Sequence, residues 1–368
     1  MILSIIIGQQ FHDLRLEMHI REAQQEDNNE LQELQAKCPQ GRTLIVSTVN
    51  TPDFFARVKA YESYKVYVAC IDDHIIGSGA CVIRNAIVDG QLHRVGYLFQ
   101  LFVNPEYRRK GVASELFRFR EDYLTQQGVS LAYALIMEGN IPSMRYVETQ
   151  SFKLHRKLVM PALAIYKEMG VPSPRKIRPI EQEDLDAVAT LMNDTWRGYE
   201  LYEPTSAEGL AASIQRIPAY SFDNLLVLED HGEILACLGF WDWRQIMRIT
   251  VMERSLKMRM IGSLVNLVGR FRPMPRGVNA GDPLNQIILT PIAFKEPAHV
   301  TALLRYMNNR ALSSGIEQIF CICESSHPLL NSMKGFIRIN TGVHLYVKFL
   351  KPNIRMSDKP VFVDGIDM

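Results

Sequence analysis

Leu98-Phe99-Gln100-Leu101-Phe102-Val103-Asn104-Pro105-Glu106-Tyr107-Arg108-Arg109-Lys110-Gly111-Val112-Ala113 reads as a strand, a tight turn and the start of a helix. Val112, Leu116, Phe119 and Tyr123 continue at helical spacing, and Gly128 is placed to end that helix. The turn from Arg108 to Ser114 therefore offers unpaired backbone N–H groups at a helix N-terminus. Those donors and the helix dipole favour an anion, and Gly111 and Ala113 let it approach the backbone without a side chain intervening. Arg108, Arg109 and Lys110 add positive charge. Taken alone, a basic turn with one glycine fits a solvated helix start equally well.

Val103-Asn104-Pro105 followed by Arg108-x-x-Gly111-x-Ala113 resembles the acyl-coenzyme A signature of the GNAT N-acetyltransferase superfamily. Asn140-Ile141-Pro142-Ser143 running into Ser151-Phe152 is similar to that family's second cofactor segment, and the similarity covers about residues 18–160. The resemblance implies that Leu101, Phe102 and Val103 line the pantetheine of acetyl-coenzyme A, Val103 through its backbone. It implies further that Arg108, Arg109, Lys110, Gly111, Val112, Ala113 and Ser114 hold the pyrophosphate, with Asn140 and Ser143 as the matching positions downstream. The expected activity is acetyl transfer from acetyl-coenzyme A to a primary amine, with a small-molecule acceptor favoured over a protein amine.

Two positions depart from the family pattern. Many members carry a tyrosine seven residues after the asparagine to protonate the departing thiolate; here Val147 stands there and Tyr146 one residue earlier. One residue turns a helical side chain by about 100°, which sets Tyr146 off the expected direction. The strand also lacks the family's glutamate, reading Leu98, Phe99 and Gln100. Glu138 and His93 are the replacement candidates for the base, although Glu and His in loops are more often solvated surface groups. Catalysis needs neither strictly, since placing a neutral amine against a polarised thioester supplies much of the rate. A coenzyme A sensor or scaffold without turnover is the rival reading.

The chain also repeats itself. Ile20-Arg21 with Gln25-Glu26-Asp27 recurs as Ile177-Arg178 with Gln182-Glu183-Asp184. A hairpin follows in each copy, Val66–Ile71 into Ile75–Ile83 and Leu225–Leu228 into Ile234–Phe240. The expected fold is therefore two mixed α/β (α+β) domains of GNAT type, each a mostly antiparallel sheet flanked by helices. Their expected bounds are an arm at 1–17, a catalytic domain at 18–160, a linker at 161–175, a degenerate copy at 176–350 and a polar tail at 351–368. In the second copy Ile287–Pro297 lacks the arginine-glycine turn and has Pro297 where an N–H donor is wanted. An insertion at 242–285 carries methionines among Arg244, Arg248, Arg254, Lys257 and Arg259, and reads as a basic amphipathic helix. Packing as a lid is the favoured role for it, with a membrane-surface or partner helix as the alternative.

Bulk composition agrees with a globular protein: 47% hydrophobic residues, and 41 Lys and Arg against 40 Asp and Glu. That balance argues against nucleic acid as a partner. Six cysteines in apolar runs suggest no disulfide framework and point to a reducing, cytoplasmic setting, and no metal site is expected. The apolar start, Met1–Ile7, is too short for a span, so no stable membrane insertion is expected, and a homo-oligomer is left open.

Overall fold

A computed structural model describes residues 18–172 and 175–368; the expected arm at 1–17 and residues 173–174 of the expected linker lie outside the described residues. In the first half, β1 (His19–Glu22) and α1 (Asn28–Ala36) precede β2 (Leu44–Asn50), β3 (Ser63–Ile71), β4 (His74–Val88) and β5 (Gln91–Val103). Helix α2 (Val112–Gln126), β6 (Leu131–Met137), α3 (Ile141–Thr149) and β7 (Lys153–Ala164) follow. The second half has β8 (Lys176–Pro179), α4 (Leu185–Thr195), α5 (Ala207–Arg216), β9 (Leu225–Asp230), β10 (Glu233–Asp242), β11 (Met247–Arg254) and α6 (Leu256–Val268). Its remaining elements are β12 (Gln286–Phe294), α7 (Pro297–Ser313), β13 (Gln318–Phe320), β14 (Cys323–Glu324) and β15 (Arg338–Phe349).

The repeated sequence motif builds the same lock twice. Arg21 grips Asp27 with bonds of 2.7 and 2.8 Å, and Asp27 also accepts the Gln24 N–H at 2.7 Å, which fixes the turn from β1 into α1. Arg178 grips Asp184 at 2.5 and 2.9 Å, and Asp184 accepts the Glu181 N–H at 2.8 Å. A bidentate guanidinium–carboxylate pair fixes geometry as well as energy, so a repeated arginine six residues before a repeated aspartate sets one strand–turn–helix angle in both halves.

Thirteen strands among the described residues join one sheet, in the order β1-β3-β4-β5-β6-β15-β7-β13-β12-β10-β9-β8, with β14 on β7. Strands β5 and β6 run parallel only at Val95–Tyr97 against Leu131–Tyr133, and β12 and β13 only at Gln286–Ile288 against Gln318–Phe320. Beyond those residues each pair parts. The last strands are exchanged between the halves: β15 pairs with β6, Val343 opposite Met137, while β7 pairs with β13, Ala162 opposite Phe320. The two exchanged strands pair with each other at the centre of the sheet. Apolar residues cover both faces, with Cys81 and Leu98 of the sheet meeting Phe117 and Leu124 of α2 on one and a larger cluster drawn from both halves on the other.

The structure differs from the sequence expectations at three places. Pro161–Ala164 is not linker but the end of β7, held by its ladders to β13 and β15. The insertion is not one helix: Met247–Arg254 is a strand paired with β2 of the first half, and only Leu256–Val268 is helical. Alternating Ile249 and Val251 bury one face of that strand, a period-two pattern hidden among the arginines. Nor do the methionines close a lid, since Met260 is 74% exposed. Residues 351–368, expected as a polar tail, run through the interior at Val361, Phe362, Val363 and Asp367, all buried. Three apolar residues in a row and a satisfied carboxylate outweigh the polar residues before them.

Candidate functional site

The site lies where β5 leaves β6. Opposite Ser78 and Ala80 the ladder of β4 and β5 slips, and Gln100 takes a left-handed φ of 49°, so β5 bulges there. Gln100 is buried, and both its amide atoms lack a hydrogen-bond partner among the described residues. A buried amide left unpaired is costly, and here it sits beside the point where β5 and β6 part. Val103 ends the strand, and its carbonyl accepts from Arg108 Nε at 3.2 Å and Cys38 Sγ at 3.3 Å. Leu101 and Val103 are half-buried beside Val112 of α2, and Phe102 is buried on the opposite face.

The turn into α2 follows at once. Arg109 (φ 62°) and Gly111 (φ 87°) both adopt left-handed backbone, and Gly111 is the N-cap with no side chain bonded to the helix end. A side chain built on Gly111 would meet nothing within 4 Å, so the concavity before the helix is open. The first N–H groups of α2 have no acceptor inside the helix, and Arg108, Arg109 and Lys110 stand exposed around them.

Helix α3 is brought alongside by Tyr146, whose hydroxyl donates to the Ala113 carbonyl at 2.6 Å. Burial pushes the Tyr146 phenol up to about 12, against a weaker opposing pull from the Arg120 charge. Asn140 caps α3, its Oδ1 accepting the Ser143 N–H at 3.3 Å. The turn into α2 and helix α3, with Asn140 and Ser143 at its start, are thus joined through Tyr146 and Ala113. Glu138, two residues before Asn140, is exposed at the end of β6 and packs over Gly342 of β15. His93 sits at the opposite end of β5, with Nδ1 3.1 Å from Ser130 Oγ.

Residues 28–152 match the model of the acetyltransferase (GNAT) family. This part of the chain is a GNAT domain. No curated protein matches the sequence. Among solved structures, Saccharomyces cerevisiae N-myristoyltransferase with bound myristoyl-CoA is similar in fold, at 11% identity and a TM-score of 0.63 over 94% of this chain and 85% of that one. A GCN5-related N-acetyltransferase from Sphaerobacter thermophilus is similar at 13% identity and a TM-score of 0.56, over 92% and 98%. The glucosamine N-acetyltransferase region of a fungal multi-domain β-N-acetylglucosaminidase gives 12% and 0.57, over 90% of this chain and 38% of that one. Such low identities establish the shared fold and leave the chemistry to the residues of the GNAT domain itself.

On the sheet face opposite α2, that domain carries a buried polar cluster which the sequence reading missed. Tyr61 Oη donates to Asp367 Oδ1 at 2.6 Å and Tyr133 Oη to Oδ2 at 3.0 Å, while Tyr97 donates to the Asp367 carbonyl. Arg84 lies 3.5 Å from the same carboxylate and donates to Tyr133 Oη at 3.0 Å. Burial drives the Tyr61, Tyr97 and Tyr133 phenols far above their usual range, so all three are donors at neutral pH. Rings stack from Phe99 through Tyr97 to Tyr133 at 4.7 and 4.9 Å, forming the wall of the parted strands. The Arg57 guanidinium lies 5.1 Å over Phe99, and its buried Nε and Nη2 have no partner among the described residues.

In the second half the corresponding cleft is filled by the chain itself. Phe362–Gly365 lie against Leu289–Ile292, Thr290 Oγ1 donates to Asp364, and the remaining cavity is about 20 Å³, room for about one water. Helix α7 opens with Pro297, which has no N–H to offer an anion.

Proposed function

We propose that this chain is an acetyl-coenzyme A-dependent N-acetyltransferase that acylates a primary amine of a small molecule, using one site per chain in the first half. The observation that carries this reading is the open, cationic first turn of α2 beside the parted strands β5 and β6. Residues 108–114 receive the pyrophosphate, and the pantetheine runs along the unpaired edge of β5 at Leu101–Val103. In that pose the thioester reaches the bulge, where the unpartnered Gln100 amide supplies polar contacts.

The amine lone pair attacks the thioester carbon, the carbonyl oxygen takes up negative charge, and the carbon–sulfur bond then breaks to release coenzyme A thiolate. Backbone N–H groups along β5 stabilise the oxyanion, and much of the rate comes from holding the reactants in line. The amine's proton leaves to water. Glu138 and Tyr146 enter this scheme as the base and acid to be tested. On the acceptor side, β2 with its partner β11, the buried turn Phe54–Ala56 and the segment 361–368 cover the face, which supports a compact acceptor over an extended peptide. The second half, about residues 176–350, then serves as a non-binding copy that lends β15 to the active sheet.

A coenzyme A-binding protein without turnover is the second reading, favoured by the engaged Tyr146 hydroxyl and the lack of an acid at 98–100. Titration calorimetry with acetyl-coenzyme A on the wild type and on Gly111→Asp tests the site, because aspartate tolerates the left-handed backbone while placing a carboxylate in the cradle. Binding lost in the variant supports it; a folded wild type that binds no acetyl-coenzyme A overturns it. Release of free thiol across a panel of amines then separates the two readings, since only the enzyme gives turnover.

A further inference from the structure

Helix α6 presents an apolar stripe to solvent. Leu256, Met260, Leu264, Leu267 and Phe271 are 76%, 74%, 61%, 52% and 85% exposed. The spacing of four, four and three keeps the four residues inside the helix within an arc of about 80° at about 100° per residue, and Phe271 follows just past the helix end. The other face of α6, at Met258, Gly262 and Val265, is half-buried. The chain returning from the helix lies against that inner face, Gly277 packing on Gly262 and donating to Asn266 Oδ1 at 3.3 Å. The stripe itself points outward.

Charge around the stripe has one sign. From Leu256 to Gly281 the sequence holds Lys257, Arg259, Arg270, Arg272 and Arg276 and no Asp or Glu. Lys257 flanks one edge of the stripe and Arg259 the other by the same helical geometry, while Arg270 and Arg272 stand exposed on either side of Phe271 in the turn after the helix. Arg276 is paired with Asp282 at 3.2 Å; the remaining four make no ion pair among the described residues. An apolar strip between rows of cations matches a surface with an anionic outer layer and an apolar layer beneath it, because the long cationic stems reach up to the charge while the stripe enters the hydrocarbon. A second copy of this chain fits poorly, since packing stripe on stripe would bring like charges together on both edges. Thirteen helical residues span about 20 Å, short of the about 30 Å hydrocarbon core, so the helix lies in the interface and does not cross.

We propose that α6 with Phe271 is a peripheral membrane-docking surface for anionic phospholipid. It holds the protein at a lipid–water boundary through the Leu256–Phe271 stripe and the cations beside it, independently of the reaction assigned to the first half. Docking of this kind is reversible and strengthens with the anionic fraction of the lipid.

Co-sedimentation of the full chain with large vesicles tests it, using phosphatidylcholine alone against phosphatidylcholine mixed with phosphatidylserine. The variants are Leu264→Glu with Phe271→Glu for the stripe, and Arg259→Gln with Arg270→Gln for its edge; both sets lie on the exposed face, so their melting curves should match the wild type. The expected result is binding to the anionic vesicles alone, weakened by salt, reduced more than about tenfold by the stripe variant and several-fold by the edge variant. No binding of the folded wild type, or binding indifferent to the stripe variant, overturns the proposal. So does a wild type that sediments as a dimer without lipid while the stripe variant is a monomer, because the stripe would then be covered by a second copy.

Discussion

Tyr146 donates its hydroxyl hydrogen to the main-chain oxygen of Ala113 across 2.6 Å, and so ties α3 to the first turn of α2. A phenol in that bond, with its acidity suppressed by burial, braces the first turn of α2 more readily than it gives up a proton. Tyr146→Phe should therefore lower the melting temperature by an amount equivalent to about 1 kcal/mol and weaken acetyl-coenzyme A binding less than about tenfold. A fall in kcat of about a hundredfold or more, with binding unchanged, would instead assign the phenol as general acid.

The two arginine locks should not weigh equally. Arg178 is 16% exposed and reaches two carboxylates, Asp184 and, at 2.9 Å, Glu229, whereas Arg21 is 37% exposed and among the described residues grips one carboxylate, that of Asp27. Solvent screens the more exposed pair. Arg178→Ala should lower the denaturation midpoint clearly more than Arg21→Ala, by about 1–2 kcal/mol on the usual scale for charge-assisted bonds. Both Asp27 and Asp184 are held below the usual carboxylate range by hydrogen bonds from their arginines, so this stability is present above about pH 4 and fades as the pH falls through their folded values.

At high pH the sign reverses. Burial raises the Cys81 and Cys237 thiols from 9.0, and the Tyr146 phenol from 10.0, to about 12. Their neutral forms fit the fold, so the stabilisation is complete below about pH 9 and is lost as the pH rises towards 12, where the unfolded chain ionises first. Urea midpoints should be flat from about pH 7 to 8.5 and then fall steadily, beginning with the thiols.

Asp367 joins three tyrosines and Arg84 at full burial. Asp367→Ala leaves the Arg84 guanidinium buried without its carboxylate, for which about 3–5 kcal/mol is the usual loss. Asp367→Asn keeps the shape and two acceptor positions fewer, so it should be the milder variant. Equilibrium urea denaturation ranks the pair, and equal midpoints for both would mean that Arg84 finds its bonds elsewhere.

How much of this was legible beforehand follows from what pattern carries. The glycine turn into α2 could be read because a left-handed glycine and the helix it caps are neighbours in sequence, and the repeat because Arg21–Asp27 and Arg178–Asp184 are local locks. The Asp367 cluster joins residues 306 positions apart, and no local pattern announces such a pairing. Exchange of β7 and β15 was equally hidden, since either half could have paired its own last strand with the same alternation. On α2 Val112 and Leu116 are buried as their spacing implied, but further along Phe117 and Leu124 are buried while Phe119 and Tyr123 are half-buried, and Arg120 sits among them bonded to the Leu116 and Ala80 carbonyls. Gln100 looked like a missing acid in sequence; only the bulge shows why an amide there stays unpaired.

The filled second cleft gives the sharpest test of one site per chain. A side chain on Gly365 would place its Cβ 2.4 Å from the Leu289 carbonyl and 2.9 Å from Thr290 Cβ, so Gly365→Ala must push the segment 362–365 out of the cleft it fills. Overpacking of this kind usually destabilises by about 1–3 kcal/mol, and here it also pulls on Asp367 two residues further along. Opening the cleft does not give it an anion turn, because Pro297 removes one donor at the start of α7 and no cationic glycine turn precedes it. Calorimetry on Gly365→Ala should therefore still return about one acetyl-coenzyme A per chain, with weaker binding if the Asp367 cluster shapes the first site. A second equivalent taken up by this variant would mean that the segment 362–365 is a plug over a working site, and that the second half has kept its cradle by some route other than the helix start.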